Sequence, residues 1–422
     1  MGNEKECDKH EKLYHFQGDS DTLEDDKDFK TQKKQISIFI KQEVLSKNKN
    51  LNFFIGSGCS TPDVPLMGTT LKTILSQKSN EDIKQEFKYY LNLTEEHKQL
   101  FDKYLSNKKL NDSEWEIARK YDNFSNIEAF MTYIQQKLNV ERDEENKNKL
   151  NSIFESTKQQ FVKTIPKYSD KKYIKDKKDK NVAELYTNFY QKVFEKRQYE
   201  SSKLNIFTTN YDLFNEIALE NNNINYSTGF TNTLTSTFNI NQFNYRLVDE
   251  RNRYKDRWQP TTKEANLYKL HGSINWIEKN EYIIQTNEHD ENVIIYPTIL
   301  KHQETAQSPY SELFRELSIQ LQKPNSTLVT IGYSFGDDHI NNIIFQNLIN
   351  QDFTLIAFAD IKEKRIADIK NKYHSNQRVH IIGGDIKEKD KNKDKDTYKF
   401  RKAHYLDYIL ENFMEFEEDE NE

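Results

Sequence analysis

The sequence predicts an α/β fold, a doubly wound and mostly parallel sheet with a large helical insertion. Three observations lead to this prediction. Short apolar runs alternate with helical segments after residue 204, an apolar run at 51–55 ends in a glycine-rich loop, and residues 81–200 show helical spacing with almost no glycine. Strands that alternate with helices are typical of a parallel sheet that is covered on both faces.

The chain of 422 residues is expected to divide into five parts. The charged ends are expected to be solvated tails, because residues 1–30 carry ten acidic and five basic residues and residues 411–422 carry seven acidic and no basic ones. The five parts are an acidic N-terminal tail (1–30), the first helix, strand and glycine loop of the core (31–80), the helical insertion (81–200), the rest of the core (201–390), and a C-terminal helix with an acidic tail (391–422).

The periodicity predicts the individual elements of the core. A mixed apolar pattern predicts a helix over 33–46 before the first strand, and the charged stretch 386–396 is expected to be a loop. The later strands are predicted at LNIFTTN, NLYKLHG, NVIIYP, TLVTIGYS, FTLIAFAD and RVHIIGG, and the later helices at 212–221, 310–322, 338–350, 362–372 and 399–413.

Charge and cysteine content exclude several classes of protein. The formal net charge of −6 arises from the acidic ends, so the middle of the chain is only mildly basic and carries no strong nucleic-acid signal. No apolar run reaches the ~18 residues of a membrane span, and the first residues do not resemble a secretory signal. Cys7 and Cys59 are too few for a disulfide framework or a four-cysteine zinc site. We therefore expect a cytoplasmic protein with no bound metal and no membrane contact.

Glycine is scarce in this chain, and much of it follows predicted strands. Of eleven glycines, Gly56, Gly58, Gly272, Gly332 and Gly336 lie at or just beyond strand ends. Ligands of a doubly wound sheet bind outside the carboxyl ends of its strands, where glycine lets the backbone approach a phosphate group. Tight turns after strands also need glycine, so the count alone leaves both interpretations open.

Polar side chains accompany these glycines. Asn210 could hold a sugar hydroxyl or a water through its amide, and Asp212 could cap the following helix or face a ligand. His271 ends a predicted strand directly before a glycine, where it could be a structural residue or a general base. Asp337 and Asp338 open a predicted helix, and we expect them to cap it.

Taken in order, these segments resemble the sirtuin-like domain, the nicotinamide-dinucleotide fold of the silent-information-regulator type. The matching segments are 56–60, 208–212, 271–272 and 332–334, within roughly residues 50–390. The resemblance implies a Rossmann-like core that binds NAD as its substrate. The NAD-binding residues that it implies are Gly56, Ser57, Gly58, Cys59, Ser60, Thr209, Asp212, Gly332, Tyr333, Ser334, Asp360 and Asp385.

Departures from the family pattern favour one branch of it. The chain lacks the zinc-binding Cys-x-x-Cys pairs of protein-deacylating sirtuins, lacks their arginine after the first glycine loop, and has Thr209 where they have glutamine. The missing zinc module, the helical insertion and the sequence GYSFGDDHIN are instead similar to bacterial sirtuin-like effectors of anti-phage defence. This similarity implies a homo-oligomer and a companion ATPase of the HerA type or another infection-sensing protein.

The resemblance therefore predicts an NAD+ glycohydrolase that depletes NAD during abortive infection. In this role His271 would take a proton from a ribose hydroxyl, and Asn210 would orient the ribose or the attacking water. Other classes remain open at this point. They are a subunit that senses NAD or a nucleotide derivative without catalysis, a protein deacylase or ADP-ribosyltransferase that uses the same crevice, and a pure assembly subunit.

Overall fold

The computed structural model describes residues 12–23, 28–47, 49–173, 181–197, 202–254, 257–286, 292–294, 308–349, 352–389 and 398–416. Its strands are β1 (Lys12–Gln17), β2 (Ser20–Asp21), β3 (Asn50–Ile55), β4 (Leu204–Thr208), β5 (Asn225–Ser227), β6 (Val248–Tyr254), β7 (Arg257–Pro260), β8 (Glu264–Lys269), β9 (Gly272–Lys279), β10 (Tyr282–Gln285), β11 (Asn292–Ile294), β12 (Ser326–Ile331), β13 (Thr354–Phe358), β14 (Val379–Lys389) and β15 (Tyr398–Lys402). Its α-helices are α1 (Phe29–Phe39), α2 (Met67–Ser76), α3 (Glu81–Tyr90), α4 (Glu95–Leu105), α5 (Asp112–Arg119), α6 (Ile127–Val140), α7 (Glu144–Lys163), α8 (Val182–Lys196), α9 (Phe214–Asn221), α10 (Tyr310–Leu321), α11 (Asp338–Asn347), α12 (Lys364–Lys372) and α13 (Leu406–Asn412).

The main sheet confirms the predicted fold class. Among the described residues it has ten strands in the order β2-β1-β14-β13-β12-β3-β4-β8-β5, with β15 beside β14. The neighbours from β14 to β5 pair in parallel. The chain leaves β3 on one side through β4 and β8, then returns on the other side with β12, β13 and β14. The reversal between β3 and β12 is the topological switch point of a doubly wound sheet.

Each face of the sheet packs into its own apolar core. Side chains alternate along β3, so Phe53 and Ile55 enter one core and Phe54 the other. The first core includes residues of α8, α9 and α13, and the second includes residues of α10, α11 and α12. Cover on both faces explains why the central strands are continuous apolar runs in the sequence.

Helices α2 to α8 lie between β3 and β4 along the chain. Asn111 and Glu114 form a capping box at the start of α5, and Asp143 caps α7 through the backbone N–H of Asn146. Buried aromatic residues such as Phe87 and Phe130 fill the centre of this block and are continuous with the first core. The block therefore packs against one face of the sheet. None of the helices in the described ranges has the length and apolar character that crossing a membrane requires.

The sequence predicted that residues 1–30 form a solvated tail, but part of this segment belongs to the main sheet. Strand β1 pairs antiparallel with β14, and its Tyr14 hydroxyl donates to the carbonyl of Ala359 at 2.7 Å and accepts from the N–H of Ile361 at 3.0 Å. This strand was not predicted from the sequence, because its apolar residues alternate over only six positions and acidic residues surround them. Of the two predicted acidic tails, residues 1–11, 24–27 and 417–422 lie outside the described residues.

The predicted helix at 399–413 is wrong in its first half. Residues 398–402 form β15, which pairs antiparallel with the end of β14, and only α13 is helical. The predicted loop at 386–396 begins as strand, because β14 continues to Lys389, and residues 390–397 lie outside the described part. The predicted strand NVIIYP is described only over β11, which belongs to a separate small sheet with β9 and β10.

Candidate functional site

The loops after β3 and β12 touch through their backbones at the switch point. Gly332 has a φ of +66°, and a Cβ placed on it would lie 2.6 Å from the amide nitrogen of Cys59. A Cβ on Gly56 would lie 2.3 Å from the carbonyl oxygen of Gly332. The N–H of Gly56 donates to Ile331 at 2.9 Å, and that of Gly58 donates to Gly332 at 3.0 Å. Both loops therefore need glycine at these positions.

These hydrogen bonds restrict the predicted role of the glycine loop. The amides of Gly56, Gly58 and Cys59 donate to protein carbonyls in this conformation, and not into the crevice. Cys59 is buried and its thiol donates to the carbonyl of Ile331 at 3.3 Å, while burial raises the pKa of that thiol far above its ordinary value. Cys59 is thus a packing residue. Ser57, which is exposed, and Ser60 are the hydroxyls that the loop offers.

Asn210 lies in the loop after β4, directly beside the glycine loop. Thr208 holds this loop in place, since its hydroxyl donates to Ile55 at 2.7 Å and accepts from the N–H of Asn210 at 3.0 Å. The Asn210 Nδ2 donates to the carbonyl of Gly56 at 3.2 Å and to the Ser60 hydroxyl at 3.1 Å. Among the described residues, the buried Oδ1 of Asn210 has no hydrogen-bond partner. A buried acceptor left in this state costs roughly 1–3 kcal/mol, so it is a strong place for a ligand hydroxyl or water.

Helix α8 supplies a further hydroxyl to this loop. The Tyr186 hydroxyl lies 2.9 Å from the Ser60 hydroxyl and accepts a longer contact of 3.4 Å from the Asn210 Nδ2. Burial raises the pKa of Tyr186 well above its ordinary value, so the phenol is neutral. Sequence reasoning missed Tyr186, because nothing in the helical periodicity separates it from the aromatic residues that only fill the core.

A buried lysine lies beneath the loop that carries Asn210. Lys269 is fully buried, and its Nζ donates to the backbone carbonyl of Asp212 and, at 3.0 Å, to the carboxylate of Glu216. Burial raises the pKa of both the Asp212 and the Glu216 carboxyl, and the charge of Lys269 opposes that rise. Asp212 also accepts from the N–H of Phe214, the first residue of α9, at 3.2 Å, but the N-cap position of that helix is Leu213 and not Asp212 as the sequence suggested.

His271 lies in the turn between β8 and β9. The turn is joined to the loop of Asn210, because the N–H of Leu270 donates to Thr208 at 2.9 Å and that of Ile274 donates to Tyr211 at 2.9 Å. The His271 side chain is buried, and its Nε2 lies 3.2 Å from Oδ2 of Asp337. Asp337 caps α11, as predicted, but the sequence contained no sign of its contact with His271.

In the segment after β12, Ser334 is exposed and available to a ligand, whereas Tyr333 is buried. The Tyr333 ring packs on Phe54 at a centroid distance of 4.3 Å in the second core, and its hydroxyl donates to Asn341 at 3.1 Å. Ser334 is exposed. A Cβ placed on Gly336 would lie 3.3 Å from the Ser334 hydroxyl and 2.8 Å from Nη1 of Arg365, so this hydroxyl and the guanidinium from α12 both lie close to Gly336. Sequence reasoning did not single out Arg365.

A comparison with protein-family models identifies the domain that contains these residues. Residues 204–401 match the model described as SIR2-like domain. The chain carries a sirtuin-like domain. The match runs from β4 to within β15 and includes Asn210, His271 and Asp337, and domains of this type use NAD. A search of curated proteins found no match.

In this sirtuin-like domain, Asp360, just after β13, and Asp385, within β14, form a cluster of their own. Lys402 donates to Asp360 at 2.8 Å and to Asp385 at 2.5 Å, and Lys362 also pairs with Asp385. Partial burial opposes ionisation of Asp360, but the ammonium of Lys402 holds the pKa of this carboxyl below its ordinary value. The hydrogen bonds from Lys362 and Lys402 lower the pKa of Asp385 likewise. The sheet order places this cluster on the opposite side of the switch point from His271.

The residues around the switch point fit NAD as a ligand of the sirtuin-like domain. The buried Asn210 Oδ1 offers an acceptor for a hydroxyl. The exposed Arg365 makes no ion pair within the described ranges, and beside Ser334 it offers a cation and a hydroxyl to a phosphate group. Thr209 is half-buried in the loop of Asn210. The described side chains include no group of three or more His, Cys, Asp or Glu that could hold a metal ion.

Proposed function

We propose that the protein is an NAD+ glycohydrolase, which converts NAD+ and water into nicotinamide, ADP-ribose and a proton. One observation carries the proposal. Asn210 is buried with an amide oxygen that lacks a hydrogen-bond partner among the described residues, and it lies between the glycine loop and the turn of His271. A buried polar atom that the fold leaves without a partner is a common mark of a ligand site.

The chemistry of the bond explains why these side chains suit the reaction. The bond from ribose C1′ to nicotinamide breaks with positive charge developing on the ribose. His271 would accept a proton from a ribose hydroxyl and so raise electron density there. Asn210 would hold the ribose or the attacking water through its Oδ1. Positioned general bases contribute roughly 10²–10⁴-fold to rates, which sets the expected effect of losing His271.

The phosphate end of the substrate has a separate set of contacts in this proposal. Arg365 and Ser334 would bind a phosphate oxygen through the guanidinium and the hydroxyl. Because this pair lies beyond β12 while His271 follows β8, the substrate would extend across the switch point. Binding and bond cleavage would then depend on different residues.

The biological part of the proposal rests on the resemblance to bacterial anti-phage effectors. We propose that the enzyme acts in the cytoplasm and depletes NAD when infection triggers it. The GYSFGDDHIN segment, the helical block and the absence of the cysteine pairs support this role. A homo-oligomer and a companion ATPase of the HerA type, or another infection-sensing protein, belong to the same proposal.

Chromatography of nicotinamide and ADP-ribose tests the proposal directly. Wild-type protein is incubated with NAD+ beside His271→Ala, Asn210→Ala and, as a control, the exposed His374→Ala. We expect release by the wild type and the control, and a loss of roughly 10²-fold or more in the two site variants. Full activity of either site variant would contradict the assigned mechanism.

Calorimetry on the same samples distinguishes hydrolysis from sensing. A pocket that only senses NAD would bind it and release no nicotinamide. A peptide-dependent product would indicate a deacylase or an ADP-ribosyltransferase in place of a glycohydrolase.

A further inference from the structure

A buried lysine joins the end of β8 to the loop after β4. Lys269 is the last residue of β8, and its side chain is fully buried. Its Nζ donates to the carbonyl of Tyr211 at 3.4 Å, to the carbonyl of Asp212, and to the carboxylate of Glu216 at 3.0 Å. An ammonium group has three N–H donors, and these three contacts can use all of them.

The contacts of the lysine lie directly beside Asn210 in the loop. Tyr211 and Asp212 are the two residues that follow Asn210, and Lys269 binds the backbone carbonyl of each. On the other side of Asn210, the hydroxyl of Thr208 accepts from the N–H of Asn210 at 3.0 Å. The backbone that carries the Asn210 amide is therefore held from both sides.

The same lysine lies close to the turn of His271. Lys269 precedes His271 by two residues, and the N–H of Leu270 between them donates to the carbonyl of Thr208 at 2.9 Å. The turn of His271 and the loop of Asn210 are thus connected by a backbone hydrogen bond and by a buried ammonium group.

Stability of the fold alone gives a weak reason for burying this ion pair. The side chains of Lys269 and Glu216 are 0% and 6% exposed. Burial raises the pKa of the Glu216 carboxyl, and the charge of Lys269 opposes that rise. The attraction between two buried charges often does not offset the free energy needed to remove them from water, so apolar residues of similar volume can commonly replace such a pair. A role in the geometry of the loop accounts for the pair better.

We propose that Lys269 is a positioning residue, whose ammonium group holds the carbonyls of Tyr211 and Asp212 and so fixes the amide of Asn210 relative to the turn of His271. The effect on catalysis rests on the glycohydrolase function proposed above, whereas the effect on the loop does not.

Replacement of the ion pair by two apolar residues tests the proposal. Lys269→Met together with Glu216→Leu removes both charges, so that neither is left buried alone, and we expect this protein to fold and to unfold near the wild-type temperature. Its loop carbonyls lose the ammonium group. Because a misplacement of about 1 Å can cost ~10²-fold in rate, we expect nicotinamide release to fall by roughly 10–100-fold. The phosphate contacts assigned to Arg365 and Ser334 remain, so kcat should fall more than KM rises.

The matched control is the ion pair at the other end of β8. Glu264 begins the strand with a side chain that is 3% exposed, and it accepts from Nε of Arg246 at 2.5 Å. Arg246→Met together with Glu264→Leu removes this pair from the same strand without touching the loop of Asn210. We expect this variant to release nicotinamide within about twofold of the wild-type rate, because the two pairs share no partner.

Amide hydrogen exchange, followed by mass spectrometry, reads the loop without any need for activity. We expect peptides that cover residues 209–214 to exchange faster in Lys269→Met/Glu216→Leu than in the wild type. The control pair should leave this exchange unchanged.

Three results for Lys269→Met/Glu216→Leu would overturn the proposal. They are a protein that does not fold, a loop that exchanges at the wild-type rate, and a kcat equal to that of the wild type. An equal loss of nicotinamide release in the control pair would overturn it as well. If the wild type hydrolyses no NAD while the loop of the variant exchanges faster, only the proposed function is contradicted.

Discussion

Gly332 is the residue at which the two halves of the doubly wound sheet come closest. Its positive φ and the 2.6 Å approach of the Cys59 amide leave no room for a side chain. The 2.7 Å approach of the Cys59 sulfur adds to this restriction. The glycine therefore serves the contact between the loops as well as the turn of its own loop.

We expect Gly332→Ala to lower the free energy of unfolding by about 2–4 kcal/mol, because it combines a left-handed backbone with overpacking. Gly336→Ala is the control in the same loop, since its new Cβ would meet only the mobile ends of Arg365 and Ser334. Urea unfolding measures both variants. Equal stability of the two alanine variants would show that the contact between the loops is not tight.

At the scale of elements, α8 connects the helical block to the site. Tyr186 reaches Ser60 and Asn210, while Tyr190, one turn further along the same helix, donates to Asn215 at 2.5 Å. Both phenols are completely buried, and only one of them contacts a residue assigned to the reaction. The helical block thus provides part of the environment that orients the amide of Asn210.

We expect Tyr186→Phe to reduce nicotinamide release by roughly 5-fold, since the loss of one hydrogen bond worth about 1 kcal/mol to the orientation of Asn210 corresponds to a rate factor of this order. Tyr190→Phe is the matched control, because it removes one buried phenol hydrogen bond from the same helix. We expect it to cost similar unfolding free energy and to keep the wild-type rate. A rate loss of the same size in both variants would indicate a general effect of α8.

At the scale of the whole molecule, two buried histidines join the N-terminal strand to the sheet. His15 of β1 and His380 of β14 share a hydrogen bond of 3.1 Å between Nε2 and Nδ1, and both rings contact Phe39. Burial, reinforced by the charge of the other ring, lowers the pKa of His15 from 6.5 to about 3. Burial also lowers the pKa of His380 from 6.5 to about 4.

These shifts predict loss of stability in acid. Below pH 6.5 the unfolded chain takes up protons that the folded protein does not bind, so stability falls as the pH drops toward about 4. Each histidine contributes up to ~1.4 kcal/mol per pH unit in this window. We expect His380→Gln to flatten the pH dependence of urea unfolding between pH 6.5 and 4.5, and the exposed control His374→Gln to leave it unchanged. An unaltered slope in His380→Gln would contradict the prediction.

The central strands and the order of the site segments could be predicted from the sequence because both depend on local patterns. Continuous apolar runs such as 51–55 identify strands that are buried on both faces, and glycine marks their ends. Strand β15 escaped prediction because its residues become a strand only when β14 offers a free edge. The same holds for β1, whose short alternation is stable only beside β14.

The contacts of the site depend on the tertiary structure, and the sequence carries no local signal for them. The pairing of His271 with Asp337 joins two strand ends that lie on opposite sides of β3 and β4. Arg365 reaches the loop of Ser334 and Gly336 from α12, and Tyr186 reaches Asn210 from the helical block. A capping pattern could predict that Asp337 begins a helix, but not which side chain its second oxygen would face.

The pairing of β1 with β14 also bears on how the chain is made. Strand β1 leaves the ribosome long before its partner, which begins at Val379. At synthesis rates of roughly 5–20 residues per second, β1 waits about 20–70 s for that partner. Gly332 and Asp337 are also synthesised long after the glycine loop. Chains whose synthesis ends before these residues therefore lack the β12 side of the crevice. The crevice is therefore completed only after β12 and the start of α11 have been synthesised.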